Sequence, residues 1–116
     1  MKKLFIVGNW KMNGNKRSNE QLINCINDKV CENMNIEVVI CPPFTYLTQI
    51  LKLKTSSIKI GAQNISECQN GAFTGEISGS MLQDLKVDYV IIGHSERRQM
   101  YNDTNAIIAQ KFELAH

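Results

Sequence analysis

Four short apolar runs set the tightest limit on what this chain can fold into: Leu4–Val7, Ile36–Ile40, Ile58–Ile60 and Val87–Ile92. Each is rich in β-branched residues and closes on small or polar ones: Gly8-Asn9, Cys41-Pro42-Pro43, Gly61-Ala62-Gln63-Asn64 and Gly93-His94. Alternation within the runs is weak. A strand with one wet face alternates, whereas a strand covered on both faces does not, so the runs read as a parallel sheet. Their starts lie 32, 22 and 29 residues apart, the size of successive βα units.

Helical patterns fill the intervals. Leu22, Ile23, Ile26, Val30 and Met34 form a stripe at three- to four-residue spacing, opened by a possible capping box at Ser18 and Gln21. Tyr46, Leu47, Ile50 and Leu51 make a shorter stripe after the two prolines, which can precede a helix but not lie inside one. Met81, Leu82 and Leu85 follow Ser80, with Gln83 completing a second box. Ile107, Ile108, Phe112 and Ala115 mark a last helix beginning near Asp103. The order is β-α-β-α-β-α-β-α. Residues 64–78, with Gly71 and Gly75 and no periodicity, form a loop long enough to expect a function. No stop signal follows the last helix, and four parallel strands leave two open edges, so the chain is expected to be part of a larger domain.

Composition narrows the function classes. The 116 residues carry 13 Lys and Arg against 11 Asp and Glu, a net charge of +2 spread without blocks, which argues against a nucleic-acid partner. No apolar run approaches the roughly 18 residues of a membrane helix. The first run also ends too early for a signal peptide, and the sequence reads as cytosolic. Cys25, Cys31, Cys41 and Cys68 include no C-x-x-C pair and are expected to be buried or half-buried free thiols. With His94 and His116 the only histidines, no metal site is expected.

Ligands of parallel α/β folds bind at the carboxyl ends of the strands. The first strand here ends in Asn9-Trp10-Lys11, the third in Gln63-Asn64 and the fourth in His94-Ser95-Glu96-Arg97-Arg98. One cation, one imidazole, one carboxylate and several amides can therefore meet on a single rim. That set suits proton transfer on an anionic substrate: lysine supplies fixed positive charge, and histidine donates to an oxygen that becomes negative. Taken singly, each has a plainer use. A lysine at a strand end is usually solvated, an isolated histidine is usually structural, and Ser-Glu-Arg-Arg can be a charged helix start.

Three blocks of residues go further. Gly8-Asn9-Trp10-Lys11-Met12-Asn13-Gly14 resembles the opening motif of the triosephosphate isomerase family. Gly61-Ala62-Gln63-Asn64 with Gly71-Ala72-Phe73-Thr74-Gly75-Glu76-Ile77-Ser78 is similar to its third βα region, and Ile92-Gly93-His94-Ser95-Glu96-Arg97-Arg98 to the segment bearing its catalytic histidine. The blocks stand in the family's order and spacing along the whole chain. The resemblance implies an α/β fold, the N-terminal (βα)4 half of a (β/α)8 TIM barrel, with residues 1–116 as one partial domain. It implies interconversion of dihydroxyacetone phosphate and D-glyceraldehyde 3-phosphate through an enediolate, a step of glycolysis and gluconeogenesis, without cofactor or metal.

By position, Asn9 and Lys11 are then substrate-binding, and Lys11, His94 and Glu96 form the catalytic set. His94 resembles the electrophile that polarises the carbonyl, and this family is the standing example of a helix N-terminus keeping such a ring neutral. Glu96 resembles the acid that pairs with the substrate lysine. Thr74 falls in the loop that reaches into a partner subunit, which implies a homodimer at full length. One departure concerns Asp103, which stands where the family usually has glutamate. The shorter acid is expected to weaken a link to Arg97 or Arg98, with more effect on stability than on chemistry.

Length is the larger departure, since a whole barrel of this type needs about 250 residues. The glutamate base, the closing lid and the main phosphate-binding loops have no counterpart here. None of Glu20, Glu32, Glu37, Glu67, Glu76 or Glu113 has the context of that base. Two alternatives stay open: a non-catalytic half-barrel that acts only by pairing with a complementary chain or with itself, and, more remotely, another phosphate-binding βα barrel.

Overall fold

The computed structural model describes residues 3–31 and 35–116. In chain order the elements are β1 (Leu4–Asn9), α1 (Lys16–Lys29), β2 (Ile36–Cys41), a 3-10 turn (Phe44–Tyr46) running into α2 (Leu47–Leu53), and β3 (Ile58–Ala62). Then come α3 (Gly79–Asp84), β4 (Tyr89–Val90), α4 (Ser95–Met100) and α5 (Asn105–Ala115). The strands form one parallel sheet in the order β1-β2-β3-β4. Four curled parallel strands flanked by helices are half of a closed α/β barrel; the spacing of the apolar runs predicts the parallel βα units, and the resemblance implies the half-barrel.

Strand alternation assigns the two faces. Ile40, Ile58, Ile60 and Ala62 pack outward against Ile23 of α1, Leu47 and Ile50 of α2, and Leu82 of α3, and these residues form the core. The other set includes Val39, Cys41, Gly61 and Tyr89 on the concave face. A Cβ on Gly61 would stand 2.6 Å from Cys41 Sγ and 3.5 Å from Tyr89 Cβ, so glycine here leaves room for both neighbours. At the lower end of the same face Phe5 meets the Tyr89 ring edge-on at 6.1 Å. Tyr89 donates its hydroxyl to Glu37.

Burial corrects the expectation that every strand is covered on both faces. Leu4, Phe5, Ile6 and Val7 of β1 are all more than half exposed. β1 is an edge strand, and α1 packs against α2 rather than over it. The fourth run is also shorter as a strand than predicted, pairing only at Tyr89–Val90.

The helix starts differ as well. Asn15, not Ser18, caps α1: its side chain accepts from the Ser18 amide at 2.9 Å while Ser18 Oγ returns a contact to the Asn15 amide at 3.2 Å. Ser78 rather than Ser80 caps α3, and Thr104 caps α5. In the α1 stripe Ile23 is buried and Leu22 exposed, and Met34 and Glu32 lie outside the described residues. All four cysteines are free, but Cys25 and Cys31 are exposed, because they lie on the outer side of α1 and just past its end. Among the described residues no helix is long and apolar enough to cross a membrane.

Candidate active site

Lys11 follows the end of β1 in the left-handed backbone region, with φ of 55°. A lysine gains nothing intrinsically from that conformation, so its surroundings must hold it there. They do so at both ends of the residue. The Lys11 amide donates to Asn9 Oδ1 at 2.9 Å, and Gln63 Nε2 donates to the Lys11 carbonyl at 2.9 Å. Gln63 also donates to the Cys41 carbonyl at 2.9 Å, so one side chain past β3 ties the exits of β1 and β2 together.

On the far side of the rim, Gly93 turns the chain from β4 into α4. Its φ is 72°, and a Cβ would stand 3.0 Å from Ile108 Cδ1, so both the backbone and the space call for glycine. His94 then caps α4, and its Nδ1 accepts the Glu96 amide at 3.1 Å. A nitrogen that accepts an N–H carries no proton of its own, which leaves Nε2–H as the ring's donor. Glu96 Oε2 stands 4.0 Å from the same Nδ1, too far and too poorly matched to an acceptor to count as a bond.

The two sides meet through Glu96. Lys11 Nζ is 2.7 Å from Glu96 Oε1. The hydrogen bond from Lys11 is the main reason the Glu96 carboxyl is held below its ordinary range, with further help from the Lys11 charge. With 53% and 41% of the two side chains exposed, the pair contributes little to stability. Its effect is local: it fixes an ammonium and a carboxylate beside the imidazole.

Asn9, Lys11, His94 and Glu96 all line one depression of about 300 Å³, together with Gln63, Asn64, Glu76 and Arg97. The four residues singled out for binding and catalysis are thus gathered in one place. Thr74 lies apart, exposed in a turn closed by the Glu76 amide donating to the Phe73 carbonyl at 2.9 Å. A larger hollow of about 710 Å³ runs beside β4 and α5, lined by Leu82, Val90, Ile92, Phe112 and Leu114, and includes none of the candidate residues. Among the described residues no three His, Cys, Asp or Glu side chains gather as a metal ion would require.

Asp103 departs from its expected role. Its Oδ2 accepts from Arg97 Nε at 3.0 Å and from Lys111 Nζ at 2.9 Å, so the shorter acid reaches both cations through one oxygen. Arg98 turns elsewhere, to Asn105 Oδ1 at 2.8 Å and the Gly93 carbonyl at 3.3 Å. Burial pushes the Asp103 carboxyl up, but Lys111 and Arg97 together outweigh it and hold it below its usual value. Sequence reasoning missed Lys111, which is 1% exposed and reads as an ordinary surface residue of an amphipathic helix.

A sequence model of the triosephosphate isomerase family matches residues 4–116. Triosephosphate isomerases of Alkaliphilus metalliredigens and Alkaliphilus oremlandii are 51% and 47% identical to the chain over 116 residues, covering 99% of it and 46% of each relative. That of Shewanella frigidimarina is 45% identical over 123 residues, covering 99% of the chain and 47% of the relative. The chain spans about half the length of the curated relatives it matches. With the family's sequence pattern running through nearly every residue, and a parallel half-barrel beneath it, the chain belongs to the triosephosphate isomerase family.

Proposed function

We propose that the chain supplies the electrophilic half of a triose-phosphate isomerase, and that it turns over dihydroxyacetone phosphate and D-glyceraldehyde 3-phosphate only when a second half completes the barrel. The observation that carries this reading is the His94 ring, whose Nδ1 is occupied by the Glu96 amide beside the Lys11–Glu96 pair. Its Nε2–H is then the donor for the substrate carbonyl. As a proton leaves the adjacent carbon, charge builds on that oxygen and the enediolate forms. A preplaced donor strengthens with that charge and lowers the barrier. Lys11 offsets the substrate's negative charge, and Asn9, its Oδ1 engaged by the Lys11 amide, has its NH2 to offer the substrate.

Proton abstraction needs a positioned base. Glu96 is committed to Lys11, and we assign the base, the lid and the phosphate-gripping loops to the half of the relatives that this chain does not span. Thr74, exposed at the tip of its turn, is assigned to contact with a second subunit of a homodimer, and the working compartment to the cytosol. The exposed β1 strand favours the further reading that the chain by itself is a non-catalytic half that must pair with a complementary one.

The test joins residues 1–116 to the C-terminal half of the Alkaliphilus metalliredigens relative and follows isomerisation in a coupled assay. His94→Gln should lower kcat by orders of magnitude with the fold intact. Lys11→Met should lower both binding and turnover, because a fixed charge serves the bound and transition states alike. Near-normal turnover in the His94→Gln fusion would end the assignment.

A further inference from the structure

Lys111 is the largest fully buried side chain in the described structure, and the proposed chemistry does not use it. A buried ammonium is tolerated only with close partners. It has two, and they lead to opposite sides of the depression. One is Asn64 Oδ1 at 2.9 Å, next in sequence to Gln63, whose side chain holds the Lys11 carbonyl. The other is Asp103 Oδ2 at 2.9 Å. Asp103 grips Arg97 twice, accepting from its Nε at 3.0 Å and donating its own amide to the Arg97 carbonyl at 3.2 Å. Arg97 belongs to α4, and its amide donates to the His94 carbonyl at 2.9 Å. Asn64 and Arg97 both line the depression, and Lys111 lies behind it.

We propose that Lys111 is a positioning residue that sets the spacing between the Lys11 side and the His94–Glu96 side of the site, by tying Asn64 and Asp103 to one buried ammonium. The assignment rests on the isomerase reading above. Loss of the tie lets α4 shift against the end of β3, so that the His94 donor no longer points where the enediolate oxygen forms. Misplacement by about 1 Å is enough to cost on the order of 10²-fold in rate.

The test uses the same two-half fusion. Lys111→Met keeps the volume and removes the charge, leaving Asp103 to Arg97. At a temperature well below unfolding, kcat should fall by roughly 10²-fold while KM changes far less. The ¹⁵N shift of His94 Nδ1 should move away from that of a fixed acceptor. Asn64→Ala cuts only the arm to β3 and spares the buried ion pair, so it should show the same changes to a smaller degree. It also decides the matter if Lys111→Met does not fold. A merely structural lysine would lower the melting temperature and leave kcat and the His94 shift alone. An active parent fusion whose folded variants keep parental kcat and the parental shift overturns the positioning role by itself. An inactive parent fusion overturns the isomerase reading, and this one with it.

Discussion

Lys11 Nζ lies 2.7 Å from Glu96 Oε1, joining the exit of β1 to the first turn of α4 across the mouth of the half-barrel. Neither residue is deeply buried, so the pair depends on where the backbone places its two ends. On one side that placement is the left-handed Lys11, clamped by Asn9 and Gln63. On the other it is the His94 cap.

The pair has a pH signature. Its hydrogen bond holds the Glu96 carboxyl below its ordinary range, so the pair is complete above that range and breaks as pH falls through the lowered folded value. A ¹³C titration of the Glu96 carboxyl should therefore show a midpoint below that of an ordinary glutamate. Lys11→Met should bring the midpoint back toward the ordinary value. A midpoint indifferent to Lys11→Met would mean that the contact does not persist in solution.

Asp103 carries more of the stability than Glu96. Its side chain is only 5% exposed and serves Arg97 and Lys111 at once. Asp103→Ala leaves the Lys111 ammonium buried with Asn64 alone, and breaking a buried pair in this way costs about 3–5 kcal/mol. Urea unfolding should register a loss of that size, larger than for any exposed acid such as Glu20. The native Asp103 pair stabilises fully above the unfolded value of about 3.9 and loses its contribution as pH drops through the lower folded value. Acid unfolding should accordingly begin at higher pH in the Asp103→Ala chain only through its lower starting stability.

The sheet and the site were legible to different depths, for physical reasons. Strand positions followed from β-branched runs, because burial on the convex face demands apolar residues wherever a helix packs. Lys11, His94 and Glu96 could be placed on one rim because parallel strands bring their carboxyl ends together. The last helix was read only in part, for Ile107 and Ile108 of its stripe are half-buried. Phe112, part of its apolar stripe, is 65% exposed, whereas Lys111 is 1% exposed. Periodicity weighs side chains by hydropathy alone and has no means of seeing Asn64 and Asp103 waiting inside. The start of α1 was misplaced for a local reason, since Asn13, Asn15, Ser18 and Asn19 all offer capping groups within seven residues.

Gly61 and Cys41 provide a packing test. A methyl at Gly61 would come within 2.6 Å of Cys41 Sγ, so Gly61→Ala should destabilise by about 1–3 kcal/mol through overpacking. Combining it with Cys41→Ala should recover part of the loss. Burial pushes the Cys41 thiol up to about 11, with a backbone hydrogen bond at Gly61 only partly opposing it. In a thiol-reagent time course at pH 8, Cys25 and Cys31 should react first and Cys41 only on unfolding. Early labelling of Cys41 in the folded chain would contradict the concave-face packing.

The most direct measurement is a coupled triose-phosphate assay on the purified 116-residue chain, alone and mixed with the separately produced C-terminal half of a relative. On the proposed assignment the chain alone offers His94 as electrophile and Lys11 as cation but no placed base, a group that contributes about 10²–10⁴-fold, and no lid to exclude water. The account predicts no enzyme-like turnover from the chain alone. It predicts turnover on mixing that disappears when the first half carries His94→Gln. Turnover of ordinary enzyme size from the 116 residues alone, abolished by His94→Gln, would contradict it.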